Sequence, residues 1–292
     1  MVTEARESAI LIEKAFDVAN ALECQSILVC SYNKSDIKRV RKELGAKRVI
    51  WIMDSAPIDE IEVDDKNLIV TVPSSGLDRM SQLRVAFLQS VILGHIKLEE
   101  TIVCLTGMAG SSHIDNLLIT NAKRDFPWFK QYDEDNLPAL GKSKVFVKLL
   151  DIALHLAIEG REGKPIGTIL VLGSKNELKD CLKQLILNPC QGHGEKERNI
   201  FTPGILESVR EFSAMDGAIV FNRKGLIQSA GTYLNTTSSN PSHKMPSGLG
   251  ARHQAALALT IHTNAVTIAI SESSGKVTVY YQGKDIITLD KM

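Results

Sequence analysis

Apolar residues recur at Ala9, Ile12, Ala15, Phe16 and Ala19 within residues 3–22, a spacing that places them on one face of a helix. Ser26–Cys30 follows as a short continuous apolar run, the signature of a strand buried on both faces. Residues 34–44 read as a charged helix that Gly45 stops, and Val49–Met53 and Leu68–Val72 as two more strands. A long helix is predicted from Leu77 to His95, then a strand at Thr101–Leu105. Helices alternating with uniformly apolar strands predict a small α/β domain with a parallel sheet covered on both faces.

Residues 131–142 collect acids and a proline and read as a linker, so the domains are expected at 1–130 and 131–292. Beyond it, Val145, Leu149, Ile152 and Leu156 share one face of a helix over Val145–Ile158, which Gly160 and Gly163 end. A strand at Ile166–Gly173 leads into a predicted helix from Asn176 to Leu187 and a turn-rich loop at Asn188–Gly194. Thr202-Pro203 reads as a helix start, with proline in the first turn. Strands at 217–222 and 226–234 flank the turn Asn222–Gly225, and 235–247 is rich in Ser, Thr, Asn and Pro, as a surface loop is. A helix from Gly250 to His262 and a meander of strands at 265–271, 276–281 and 285–288 close the chain. The second half is expected to be a mixed β-sheet with flanking helices, and no internal repeat is visible.

The 292 residues are enough for two cores, and 44% hydrophobic with 23% charged residues is a globular composition. There are 34 basic and 34 acidic residues: 16 and 18 in residues 1–130, leaving 18 and 16 in the remainder. Neither half carries the basic field that nonspecific nucleic-acid binding needs, so no nucleic-acid partner is expected. No apolar run reaches membrane-spanning length, and Met1–Glu7 lacks the basic and apolar regions of a signal peptide. A cytoplasmic protein with no membrane partner is the expectation. Cys24, Cys30, Cys104, Cys181 and Cys190 are scattered without metal-site spacing, which fits a reducing compartment.

Candidate chemistry gathers in the last third. Asp216 precedes Gly217-Ala218 at the start of an apolar strand; it reads either as a cap or turn residue, or as an acid beside a backbone that a flat ligand can approach. Gly248-Leu249-Gly250-Ala251-Arg252-His253 opens a helix. Arg252 in the first turn opposes the helix dipole, a conflict that a bound anion would remove, and the unpaired N–H groups there suit phosphate. His253 beside it can bond a phosphate or help hold a metal. Ser271-Glu272 reads as a polar hairpin turn or as a hydroxyl and carboxylate offered to a divalent ion. Thr106–Ser112 is the one loop of the first half with the glycines to meet an anion, but a Gly-Ser turn leaving a strand explains it more simply.

In order and spacing over about residues 140–290, these residues resemble the diadenylate cyclase family. Asp216-Gly217-Ala218, Gly250–Ala256, Ser271-Glu272 with Gly275, the hairpin Gly225–Leu234 and the Asn188-Pro189 loop carry the resemblance. The first half is similar in pattern to the C-terminal domain of pyruvate kinase, an arrangement resembling the archaeal type of this enzyme. The resemblance implies condensation of two ATP into cyclic di-AMP with release of two pyrophosphates, in a homo-oligomer whose cyclase domains face each other. It implies Asp216, Arg252 and His253 as catalytic, with Gly217, Ala218, Leu234, Gly250, Ala251, Ser271 and Glu272 around the nucleotide. Asp216, His253 and Glu272 would hold Mn²⁺ or Mg²⁺. Ala251 stands where the family often has Thr, Gln254 where it has a second Arg, and Ser273 where many relatives keep an acid. Those departures favour an alternative: an adenine-nucleotide-binding regulator that does not turn over.

Overall fold

The computed structural model describes residues 2–30, 34–43, 45, 47–53, 64–72, 77–107, 113–125, 143–164, 166–235 and 249–289. The chain divides into two compact units, one running to Lys142 and the other starting at Ser143. The expected linker at 131–142, residues 108–112 of the Gly-Ser loop and residues 236–247 of the Ser-rich loop lie outside the described residues.

In the first unit the order is α1 (Val2–Ala21), β1 (Ser26–Cys30), α2 (Lys34–Glu43), β2 (Arg48–Met53), β3 (Asn67–Thr71), α3 (Arg79–Ile92), β4 (Thr101–Thr106), β5 (Asn116–Asn121) and α4 (Ala122–Asp125). The sheet runs β3-β2-β1-β4-β5. Its first four strands are parallel, as their apolar runs predict, and β5 is antiparallel to β4. The sequence reading missed β5 because this edge strand is only partly covered, so no run of buried positions marks it. Ile12, Ala15, Phe16 and Ala19 of α1 are all buried in one cluster with Ile27, Val29, Val103 and Leu105. The Asp78 side chain accepts from the Ser81 N–H at 2.7 Å, so α3 starts at Arg79 rather than Leu77.

The second unit comprises α5 (Lys144–Glu159), β6 (Thr168–Leu172), α6 (Lys175–Leu178), β7 (Leu182–Gln184), α7 (Ile205–Phe212), β8 (Ala218–Phe221), β9 (Ile227–Leu234), α8 (Ala251–His262), β10 (Val266–Ile270), β11 (Val277–Tyr281) and β12 (Lys284–Leu289). The sheet order is β12-β11-β10-β6-β8-β9-β7, with β6 and β8 the only parallel neighbours among the described residues. Phe146, Leu149, Ile152 and Leu156 of α5 are fully buried, each contributing about 1.5–3 kcal/mol by leaving water. Ser143 caps that helix through the Phe146 N–H at 3.1 Å, and Gly160 (φ 63°) ends it.

Two local expectations fail. The helix expected over Asn176–Leu187 shrinks to the single turn α6. Leu178, Cys181, Leu182 and Leu185 fit a helical period, but Leu182–Gln184 pair instead with Leu234–Thr232 along the open edge of β9. A partner fifty residues away decided this, as tertiary contacts override weak local preference. The helix expected from Thr202-Pro203 begins after Gly204, whose φ of 81° makes it the cap, so Pro203 precedes the helix instead of occupying its first turn.

Candidate active site

Parallel pairing puts the starts of β6 and β8 side by side, Ile169 opposite Ala218. The antiparallel neighbours β9 and β10 arrive there by their ends, at Leu234 and Ile270, and α8 begins over the same rim. These elements enclose a cavity of about 980 Å³ lined by Asp216, Gly217, Ala218, Leu234, Gly250, Ala251, Arg252, His253, Ser271 and Glu272. All ten residues singled out from the sequence therefore stand around one space. Ile169, Thr232, Tyr233 and Ile270 complete its apolar and polar walls.

Gly217 has φ 103°, and a Cβ there would lie 2.7 Å from the Thr232 nitrogen and 2.8 Å from the Gly231 carbonyl carbon. Its smallness thus serves the close crossing of β8 and β9, next to the irregular register between Ala218 and Val220. Gly250 differs. It caps α8 at φ −65° and ψ 160°, ordinary extended angles, and a Cβ would meet none of the described residues within 4 Å. Among the described residues no side chain caps α8, whose start lines the cavity, so its leading N–H groups there are open to a ligand.

Arg252 Nη1 donates to Glu272 Oε2 at 2.7 Å. Both side chains are well exposed, at 40% and 64%, so this pair adds only about 0–1 kcal/mol to the fold and opens cheaply for another ligand. His253 Nδ1 lies 2.9 Å from the Tyr280 hydroxyl, the rings meeting edge to face. Burial, with the Lys276 ammonium adding to it, holds the His253 imidazole below its ordinary range, so it is neutral at pH 7. Gln254, in the position after it, turns its amide away to the Leu249 carbonyl at 2.9 Å. Ser271 holds a tight turn, its hydroxyl 3.2 Å from Ser273 Oγ and its carbonyl accepting from the Gly275 N–H at 2.8 Å.

Asp216, His253 and Glu272, expected together as metal ligands, share the cavity. Yet among the described residues no group of three or more His, Cys, Asp or Glu side chains stands ready to hold an ion. His253 has one ring nitrogen engaged by Tyr280 and Glu272 is engaged by Arg252. What the cavity does supply is the carboxylates of Asp216 and Glu272 on its wall. That donor set fits Mg²⁺ or Mn²⁺ arriving with a nucleotide, since such ions are commonly held by one or two carboxylates plus substrate phosphates.

Two contributors escaped the sequence reading. Tyr280 sits in the apolar strand β11, where nothing local distinguishes it from a core aromatic. Gly167 stands just before β6, and its isolated place beside a strand was its only signal.

Residues 155–285 match the family model described as DisA bacterial checkpoint controller nucleotide-binding, DAC, and residues 7–125 match one described as a probable sensor domain, DacZ_P. The diadenylate cyclase of Methanocaldococcus jannaschii is 31% identical over 177 residues, covering 61% of this chain and 55% of that protein. The diadenylate cyclase of Haloferax volcanii is 33% identical over 142 residues, covering 49% of this chain and 51% of that protein. The chain thus spans about half the length of these two relatives. Among solved structures, a double cysteine mutant of DacA from Staphylococcus aureus is 24% identical, covering 49% of this chain and 87% of that one with a TM-score of 0.35. The stretch at residues 155–285 that matches the nucleotide-binding family model holds the entire cavity wall described above.

Proposed function

We propose that the protein condenses two ATP into cyclic di-AMP and releases two pyrophosphates. The observation that carries this reading is the placement of Asp216 and the uncapped start of α8, with Arg252 and His253, around one cavity. Phosphates bind against the leading N–H groups of α8, with Arg252 released from Glu272 to reach them. The adenosine lies along Gly217, Ala218 and the end of β9 at Leu234. Asp216 accepts the proton of a 3′-hydroxyl as its oxygen attacks an α-phosphorus. The bond to the β-phosphate oxygen breaks and pyrophosphate leaves. His253, neutral and held by Tyr280, donates from its other nitrogen to phosphoryl oxygen. Asp216 and Glu272 are the groups that would hold Mn²⁺ or Mg²⁺, which would neutralise phosphate charge; the Nε2 of His253, expected as a third ligand, carries the proton given to phosphate and leaves the ion to the carboxylates.

One cavity suits one ATP, so each attacking hydroxyl must come from a second copy, and orientation supplies much of the acceleration. Tyr233 lines the cavity and is half exposed. Beside it along the open sheet edge, Leu185, Ile186 and Leu187 are 49%, 47% and 96% exposed. We assign that apolar edge to a second copy of the chain, because it is continuous with the cavity that needs one.

A non-catalytic adenine-nucleotide-binding regulator is the second reading, favoured by Gln254, whose amide is spent on Leu249. Incubation with ATP and Mn²⁺ followed by chromatography separates the two. Cyclic di-AMP and pyrophosphate establish the enzyme, whereas bound, unchanged ATP establishes the regulator. Asp216→Asn is expected to abolish product while retaining ATP binding.

A further inference from the structure

Gly167 passes directly under the Arg252–Glu272 ion pair. A Cβ built on it would stand 2.6 Å from Arg252 Nη1, 3.2 Å from Arg252 Cζ and 2.7 Å from Glu272 Cβ. Its backbone is not left-handed, unlike Gly160 and Gly163 on the approach to β6, so conformation does not demand a glycine here. The crossing side chains do. The guanidinium is the far end of a flexible chain and would swing aside. Glu272 Cβ is fixed to the backbone of the turn after β10, and β10 is itself paired with β6. Any side chain at 167 therefore pushes the Glu272 turn and the Arg252 head away from the start of β6 together.

We propose that Gly167 is a positioning residue for nucleotide binding: its missing side chain is what lets Arg252 and Glu272 lie side by side on the cavity wall. The inference rests on the nucleotide site proposed above but not on turnover. Arg252 acts on phosphates already present in the ground state, so misplacing it weakens binding more than it slows the bond-forming step.

The test is Gly167→Ala in the full chain. We expect the KM for ATP to rise about tenfold and kcat to fall less than about threefold, with the melting temperature within a few degrees of the parent. In an Arg252→Ala background, where no guanidinium is left to misplace, the same substitution should change KM less than about threefold. An unchanged KM, or equal effects in both backgrounds, overturns the proposal. If the parent protein proves not to turn over ATP, the readout is the Kd for an α,β-methylene ATP analogue with Mn²⁺. A roughly tenfold weakening supports the proposal and an equal Kd overturns it, whichever way the cyclase reading falls. If Gly167→Ala does not fold, adding Glu272→Gly removes the colliding carbon and must restore folding; failure to do so also overturns it.

Discussion

The hydroxyl of Tyr280 lies 2.9 Å from Nδ1 of His253, joining the core strand β11 to the first turn of α8. Tyr280 is only 2% exposed, and burial raises its phenol above the ordinary range, so the tyrosine stays protonated and fixed. The imidazole is thereby held in one orientation, with its other nitrogen left to serve the cavity. Tyr280→Phe keeps the ring in place and removes only this bond. Loss of one such bond, about 1 kcal/mol, corresponds to a fall in cyclic di-AMP formation of about fivefold. The variant should melt within a few degrees of the parent. Unchanged turnover would show that the bond is structural only.

The two glycines of the cavity rim should respond oppositely to alanine. Gly217→Ala combines left-handed strain with collision against the backbone of β9, an expected loss of about 3 kcal/mol or more, read by denaturant titration. Gly250→Ala meets no atom of the described residues and costs only the weaker cap, about 0.5–1 kcal/mol. Its new methyl group points into space that the nucleotide is proposed to use, so ATP affinity should fall more than stability does. A Gly250→Ala protein with parental ATP affinity would remove the phosphates from that spot.

His155 on α5 titrates in a charged chain that faces it from two helices. Its ring lies 3.5 Å from Asp151 and 3.1 Å from Glu159; Lys148 donates to Asp151 at 2.7 Å, and Arg210 of α7 pairs with Glu159. The bond to Asp151 comes first among the causes that raise the imidazole pKa, and it outweighs burial. A raised folded value means stability that is complete below the unfolded value of about 6.5 and is lost as pH climbs through the folded value. Asp151 behaves inversely. Burial pushes its carboxyl up, but bonds from His155 and Lys148 hold it lower on balance, so its contribution fades as pH drops through the carboxylate range. His155→Gln should therefore lower the melting temperature more at pH 5.5 than at pH 8.5. Equal losses at the two values would mean the ring carries no charge in the fold.

Leu187 is nearly fully exposed, so Leu187→Glu should leave the melting temperature unchanged. If the apolar edge meets a second copy, the charge weakens association, and turnover per protomer at low protein concentration falls about tenfold or more. Sedimentation velocity across a dilution series reads the association directly. A variant that sediments and turns over as the parent does would take this edge out of the interface.

Much of the site was legible because phosphate chemistry leaves local marks: Arg252 at the wrong end of a helix, glycines at its mouth, and Asp216 before a small-residue strand entry. What was not legible depended on distant partners. Leu182–Gln184 became a strand because β9 had a free edge, and β5 formed by pairing with β4. Tyr280 and Gly167 gained their roles only when β11 and β6 came to lie beside α8.

The order of residues by itself determined the buried helix faces and the four parallel strands of the first unit, while a family resemblance pointed to the ten cavity residues. Periodicity and capping act within a few turns of chain, so they can be read locally. The folded chain alone decided that Arg252 rests on Glu272 rather than in open solvent, that His253 is anchored by Tyr280, and that Gly217 serves a strand crossing while Gly250 leaves room. Each of those depends on which side chains meet across the sheet, and contact between residues far apart in sequence is settled by packing.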